Sequence, residues 1–158
     1  GYYNHPERPC LCPPGAVQKY MNKISGPLLD RIDIQIEIVP VPFEKISIQT
    51  PSEPSAHVRE RVIKARAIQE ERFKAHPGIY CNAQMETKQL HQYAIPDAAG
   101  MQLLKQAMTR LNLSARAYDR ILKVSRTIAD LDGAEKIETP HLAEAIHYRN
   151  LDREGWGT

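Results

Sequence analysis

The chain has no apolar run long enough to cross a bilayer; its longest uninterrupted stretches are a few residues, against the roughly 20 that a spanning helix needs. It shows no basic-then-apolar leader, so nothing points to export, and the cytoplasm is the expected compartment. Charge of one sign does not dominate: 21 Lys and Arg stand against 19 Asp and Glu, and a net charge of +2 is too small to argue for nucleic acid by itself. Cysteine is scarce and odd in number, three in 158 residues, which argues against a disulfide framework. There is no initiator methionine, and Gly1-Tyr2-Tyr3-Asn4 reads as the middle of something longer. The most informative absence is chemical. No GxxxxGK followed by Ser or Thr occurs anywhere, and no acidic pair follows an apolar strand. A self-contained phosphate cradle with its magnesium site is therefore excluded.

What is present divides the chain in two. Apolar residues make up 42%, normal for a soluble globular protein and enough for one ordinary core or two small units. Residues 1–15 hold Pro6, Pro9, Pro13 and Pro14, which leaves little room for regular structure. A short helix is expected from Gly15 to about Ile24, then a break at Ser25-Gly26-Pro27 and a single turn at "PLLD". Ile32, Ile34, Ile36 and Ile38 alternate with Asp33, Gln35 and Glu37, the clearest strand pattern in the sequence, with Ile46-Ser47-Ile48 as its one nearby partner. A lone pair of strands is marginal in water, so this strand calls for a sheet the chain does not supply.

Prolines at 40, 42, 51 and 54 mark a connector, and everything after it reads helical. Ser55 is placed to cap a helix to about Ala75, with Val58, Val62, Ala65 and Phe73 along one stripe and a stop at His76-Pro77-Gly78. Residues 79–85 read as an irregular crossing, followed by a short helix near Glu86–Tyr93. Asp97 caps a helix carrying Met101, Leu104, Met108 and Leu111. Ser114 caps another to about Asp132, with Tyr118, Ile121, Leu122, Ser125, Ile128 and Ala129 inward and Gly133 ending it. Thr139-Pro140 opens a last helix to about Arg149. The tail "LDREGWGT" reads as a natural end. The expected fold is mainly α: a small helical bundle preceded by the remnant of an α/β unit with one or two strands.

Three places invite chemistry. Cys10 and Cys12 form a C-x-C in a Pro-rich loop, either half of a thiolate zinc site or two reduced loop thiols. Cys81 reads as a small half-buried apolar residue. Arg31 ends "SGPLLDR" directly before the isoleucine strand, where it either projects outward or pairs with Asp30 or Asp33. Arg116, Arg120 and Lys123 form a cationic stripe at the start of the helix capped by Ser114, a place that favours anions; the alternative is a solvated face balanced in part by Asp119. The helix from Ser55 also carries Arg59, Arg61, Lys64, Arg66, Arg72 and Lys74 against Glu60, Glu70 and Glu71, a face that is either solvated or drawn to nucleic acid.

"YMNKISGPLLDRIDIQIEI", "LSARAYDRILKVSRTIADLDG" and "HLAEAIHYRNLDR" closely resemble the C-terminal half of magnesium-chelatase-like AAA+ ATPases of the competence-protein (ComM) type, over nearly the whole chain. The resemblance implies that residues 1–50 are the remnant of an AAA+ α/β core and residues 51–158 its helical lid. It implies that Arg31 is the arginine finger acting in trans on a neighbouring subunit's nucleotide. Arg116 is then the lid's sensor-2 arginine, and Arg120 either a second phosphate contact or a salt-bridge partner. Family members carry the phosphate loop, the acidic strand and a further C-P-C upstream. ATP and magnesium are thus expected in the longer parent rather than bound tightly here. Zinc is expected at a four-thiolate knuckle completed by Cys10 and Cys12. Neighbouring subunits of a homo-oligomeric ring are the implied partners, with DNA a further one and no membrane. Three functions follow as expectations: an ATP-driven motor handling DNA recombination intermediates, the motor subunit of a magnesium chelatase in tetrapyrrole synthesis, or a non-catalytic interaction module. The chain alone is not expected to turn over ATP.

Overall fold

Seven α-helices with described bounds carry the architecture of the computed structural model, which describes residues 1–3, 5–38, 40–43, 46 and 52–149. They are α1 (Ala16–Met21), α2 (Gly26–Leu29), α3 (Ser55–Phe73), α4 (Thr87–Tyr93), α5 (Ala98–Arg110), α6 (Ala115–Leu131) and α7 (Thr139–His147), with one 3-10 turn at Asn82–Gln84. The fold is mainly helical, a small bundle as expected.

Local chemistry sets most of the ends. Asp97 Oδ1 accepts the Gly100 amide at 2.7 Å and opens α5; Ser114 Oγ accepts the Ala117 amide at 3.2 Å and opens α6. Glu86 and Gln89 form a reciprocal capping box at the start of α4. Gly133, at φ 71°, ends α6: the Ala134 amide then reaches back to the Ala129 carbonyl at 2.8 Å, a closure needing a left-handed residue. Two caps shift by one position from the expectation. Pro54 rather than Ser55 precedes α3 as its N-cap, with no side-chain cap bond. Glu138 rather than Thr139 precedes α7, where His141 Nδ1 accepts the Glu138 amide at 3.0 Å.

The bundle is organised around α6, which packs on α7, α3, α4 and the 3-10 turn, while α5 packs on α7. Its inward face contributes Ala117, Ile121, Leu122, Ser125 and Ala129, with Tyr118 and Ile128 partly buried, much as the periodicity requires. Leu90, Leu104, Ile137, Leu142 and Phe73 complete the core, each large side chain contributing about 1.5–3 kcal/mol. Two sequence-expected stripes differ. In α5 the buried face is Gly100, Leu104 and Ala107, and Met101 is exposed. In α3 burial begins only at Ala65, while Val58 and Val62 remain 41% and 46% exposed.

Polar side chains fill the middle of the bundle. Asp130 is wholly buried and accepts from four donors: both Nη atoms of Arg72, Nε of Arg126 at 3.1 Å and Nδ2 of Asn82 at 2.7 Å. Arg126 spends its remaining donors on the Ala134 and Glu135 carbonyls at 2.6 and 2.9 Å, which pins the turn after α6. Burial pushes the Arg126 guanidinium below its ordinary range, against the pull of Asp130.

The isoleucine segment departs from expectation. Residues 32–38 have no regular secondary structure, and no strand lies beside them among the described residues. Ile46 sits in a helical turn, its amide bonded to Pro42 O at 3.3 Å; Ser47 and Ile48 lie outside the described residues, as do Asn4 and the tail. The polar side of the alternation is the side gripped: Gln35 Nε2 donates to Leu29 O at 3.4 Å and Asp33 pairs with Arg120, while the Gln35 amide donates to Tyr148 O at 3.0 Å and Ile34, Ile36 and Ile38 stay largely exposed. Without a neighbouring strand the ladder cannot form, and the isoleucines find nothing to bury against.

Candidate functional site

Arg31 leaves the chain at the corner just after α2. Ser25 and Pro27 start that single turn, and the Arg31 amide closes it on Leu28 O at 2.9 Å. Its guanidinium donates to the Pro27 carbonyl at 2.8 Å and is exposed. Both carboxylates that stood to neutralise it face other arginines: Asp30 lies 3.7 Å from Arg149, and Asp33 pairs with Arg120. Among the described residues Arg31 makes no ion pair.

The second feature is a cleft of about 460 Å³ along α6, whose lining includes the cations Arg116, Arg120 and Lys123 and the carboxylates Asp33, Asp119 and Glu144. Arg116, in the first turn of α6, is exposed and makes no ion pair among the described residues. Arg120, one turn on, is bound to Asp33, and Lys123 Nζ donates to the Ala83 carbonyl at 2.9 Å. Tyr148 also lines the cleft. Its hydroxyl donates to Glu144 at 2.8 Å, a bond that, with some burial, raises the phenol above its usual range, so it stays a neutral donor. The structure thus gathers Arg116, Arg120 and Lys123 in one cleft and leaves Arg31 outside its lining. Arg120 stands here as a salt-bridge partner. Two cations at a helix start with one committed to a carboxylate leave room for an anion such as a phosphate group.

At the other end of the chain the Cys10 and Cys12 sulfurs converge on Gly1, where a Cβ would meet them at 3.2 and 2.6 Å. The Cys12 backbone and then the Cys12 side chain, by hydrogen bonding, hold the Cys10 thiol below its usual range. A thiol so disposed suits a soft metal. Among the described residues, however, no group of three or more His, Cys, Asp or Glu is placed to hold one. Among the described residues the pair stands without a third such group. Cys81 is free and half-buried, as expected of a small filler.

Sequence reasoning missed Arg149 and the Arg72–Asp130–Arg126 cluster. The cluster had a faint signal, since Arg126 and Asp130 are four apart on one helix face. Arg149 had none of its own.

The described residues thus form a small helical bundle of lid type, with a cleft carrying Arg116, Arg120 and Lys123 along its central helix and an exposed Arg31 at the corner before it. Comparison with known proteins gives the family. Residues 52–149 match the model described as magnesium chelatase, subunit ChlI C-terminal, and residues 1–46 that described as magnesium chelatase, subunit ChlI. The chain belongs to the magnesium-chelatase-like AAA+ ATPase family. It is 43% identical over 141 residues to competence protein ComM of Haemophilus influenzae, covering 89% of this chain. It is 40% identical over 144 residues to the uncharacterised protein YifB of Escherichia coli, and 33% identical over 140 residues to the uncharacterised protein Rv2897c of Mycobacterium tuberculosis. The chain spans 27% of the length of each of these relatives. No described helix is long and apolar enough to cross a membrane.

Proposed function

We propose that this chain supplies the trans-acting arginine and the sensing lid of a ring-forming AAA+ ATPase, with Arg31 serving a neighbouring subunit's nucleotide and Arg116 its own. The observation that carries the reading is Arg31: exposed, at a structured corner, with both adjacent carboxylates turned to other arginines. A planar guanidinium kept free in this way can stabilise charge developing on a transferred phosphoryl group. Arg116, joined by Arg120 when Asp33 releases it, would hold the phosphates of ATP at the start of α6. Magnesium bound with ATP would supply charge neutralisation. Zinc at Cys10 and Cys12 would need two more ligands from outside the described residues. Residues 1–50 then belong to the core side of the machine and residues 51–158 to its lid.

In the intact protein, Arg31→Ala should lower ATP turnover on the order of 10³-fold while leaving ATP affinity close to wild type. Arg116→Ala should weaken ATP binding. Isothermal titration beside steady-state phosphate release checks both. Weaker binding with unchanged turnover in Arg31→Ala would assign that residue to a structural pair.

The similarity to a competence protein supports a DNA-handling motor as the parent's role. The basic face of α3 is less extensive than its composition implied: Arg72 is committed to Asp130, Arg61 to Glu53 and Lys74 to Glu71, leaving Arg59, Lys64 and Arg66 for phosphate contacts. DNA binding through that face should fall steeply between roughly 50 and 200 mM salt, with little sequence preference; salt-insensitive binding contradicts it. The family models' descriptions favour a second reading, the motor subunit of a magnesium chelatase. Stimulation of ATP turnover by DNA rather than by a porphyrin-binding partner separates the two.

A further inference from the structure

Arg149 is fully buried, yet it belongs neither to the cleft nor to the charged cluster around Asp130. It stands just past the end of α7 and reaches back across 117 positions of sequence to the corner after α2. There its Nη1 donates to the Ile32 carbonyl, and its Nη2 lies 3.7 Å from Asp30 Oδ1. Those two contacts fall on either side of Arg31. The adjacent residue adds a third tie, Gln35 N to Tyr148 O at 3.0 Å.

Burying a guanidinium is costly, and an apolar side chain of similar volume often serves stability as well or better. An apolar side chain has no way to grip two polar points at once; a planar guanidinium has. What it holds here is the backbone carbonyl that follows Arg31, by a hydrogen bond, and the side-chain carboxylate of the residue that precedes it, by an ion pair. Among the described residues the Arg31 side chain makes one hydrogen bond, to Pro27 O within the same corner, so its direction follows that of the corner's backbone. We infer that Arg149 is the positioning residue of Arg31: from the end of the last lid helix it clamps the residues on both sides of Arg31 and sets the direction in which that side chain leaves the surface. The inference rests on the reading of Arg31 as an arginine acting in trans. It also ties the Arg31 corner to the body that carries Arg116, because α6 and α7 are packed together.

The test uses the intact protein. Arg149→Lys keeps the charge but loses the two-point grip; Asp30→Asn removes one anchor and leaves Arg149 in place. Each should lower kcat for ATP on the order of 10²-fold, the cost of displacing a positioned group by about 1 Å, with KM unchanged. In mixed assemblies, Arg149→Lys subunits should regain turnover with Arg116→Ala subunits, which donate a correctly held Arg31. They should regain none with Arg31→Ala subunits. A raised KM, or no recovery with Arg116→Ala, would make Arg149 a residue of its own subunit's site or fold and overturn the inference. Should Arg149→Lys fail to assemble, Asp30→Asn decides: wild-type kcat there overturns it. If Arg31→Ala and Arg116→Ala subunits do not complement each other, the trans reading falls and the positioning role with it. If they do and Arg149→Lys fails, only the positioning role is lost.

Discussion

Arg116 occupies the first turn of α6, where free backbone N–H groups already carry partial positive charge, so a guanidinium there is unfavourable by a few tenths of a kcal/mol. No carboxylate pairs with it among the described residues. Arg116→Ala should therefore leave the 158-residue chain as stable as before or slightly more so. Ser114→Ala, two residues earlier, should cost about 1 kcal/mol through loss of the bond to the Ala117 amide. Thermal melts of both variants check this, and a loss above about 1 kcal/mol in Arg116→Ala makes it a structural residue. At this scale the sequence was legible where bonds are local. Asp97 and Ser114 each cap an amide three residues on, and both were readable as caps. Arg120 was not resolvable between phosphate contact and salt bridge, because its partner Asp33 lies 87 positions away. Arg149 was invisible for the same reason.

At the scale of elements, periodicity identified α6 almost residue for residue, since a helix that meets several neighbours along one face buries that face in full and leaves the other polar. It misjudged the first half of α3, whose apolar positions Val58 and Val62 stay largely exposed. It also foresaw a strand at residues 32–38, and the alternation is real; but a strand is a property of a pair, and no partner lies beside it among the described residues. The charged cluster escaped notice because Arg72 and Asn82 reach Asp130 from separate elements. Its energetics are asymmetric. Asp130→Ala leaves Arg72 and Arg126 facing each other without their shared carboxylate, and should cost about 3–5 kcal/mol, a large part of a typical domain's stability. Urea unfolding of the chain measures this. A loss below about 1 kcal/mol would mean that the two arginines find water instead.

At the scale of the whole molecule, the bundle holds the preceding segment by its polar atoms: Arg120 on Asp33, Tyr148 O on the Gln35 amide, Arg149 on Ile32 O. The isoleucines of that segment stay open. Such an arrangement suits a lid that keeps one arginine directed at its own nucleotide and another directed away at a neighbour's. That division of labour is the central claim, and it is tested most directly by mixing. Arg31→Ala and Arg116→Ala forms of the intact protein, each with little turnover alone, should regain activity when co-assembled. In a closed head-to-tail ring, random mixing makes about a quarter of the interfaces whole, with Arg116 from one subunit and Arg31 from the next. Turnover of the mixture well above the sum of the separate variants is the expected result. A mixture no more active than its parts would place both arginines in the service of the same subunit and contradict the claim.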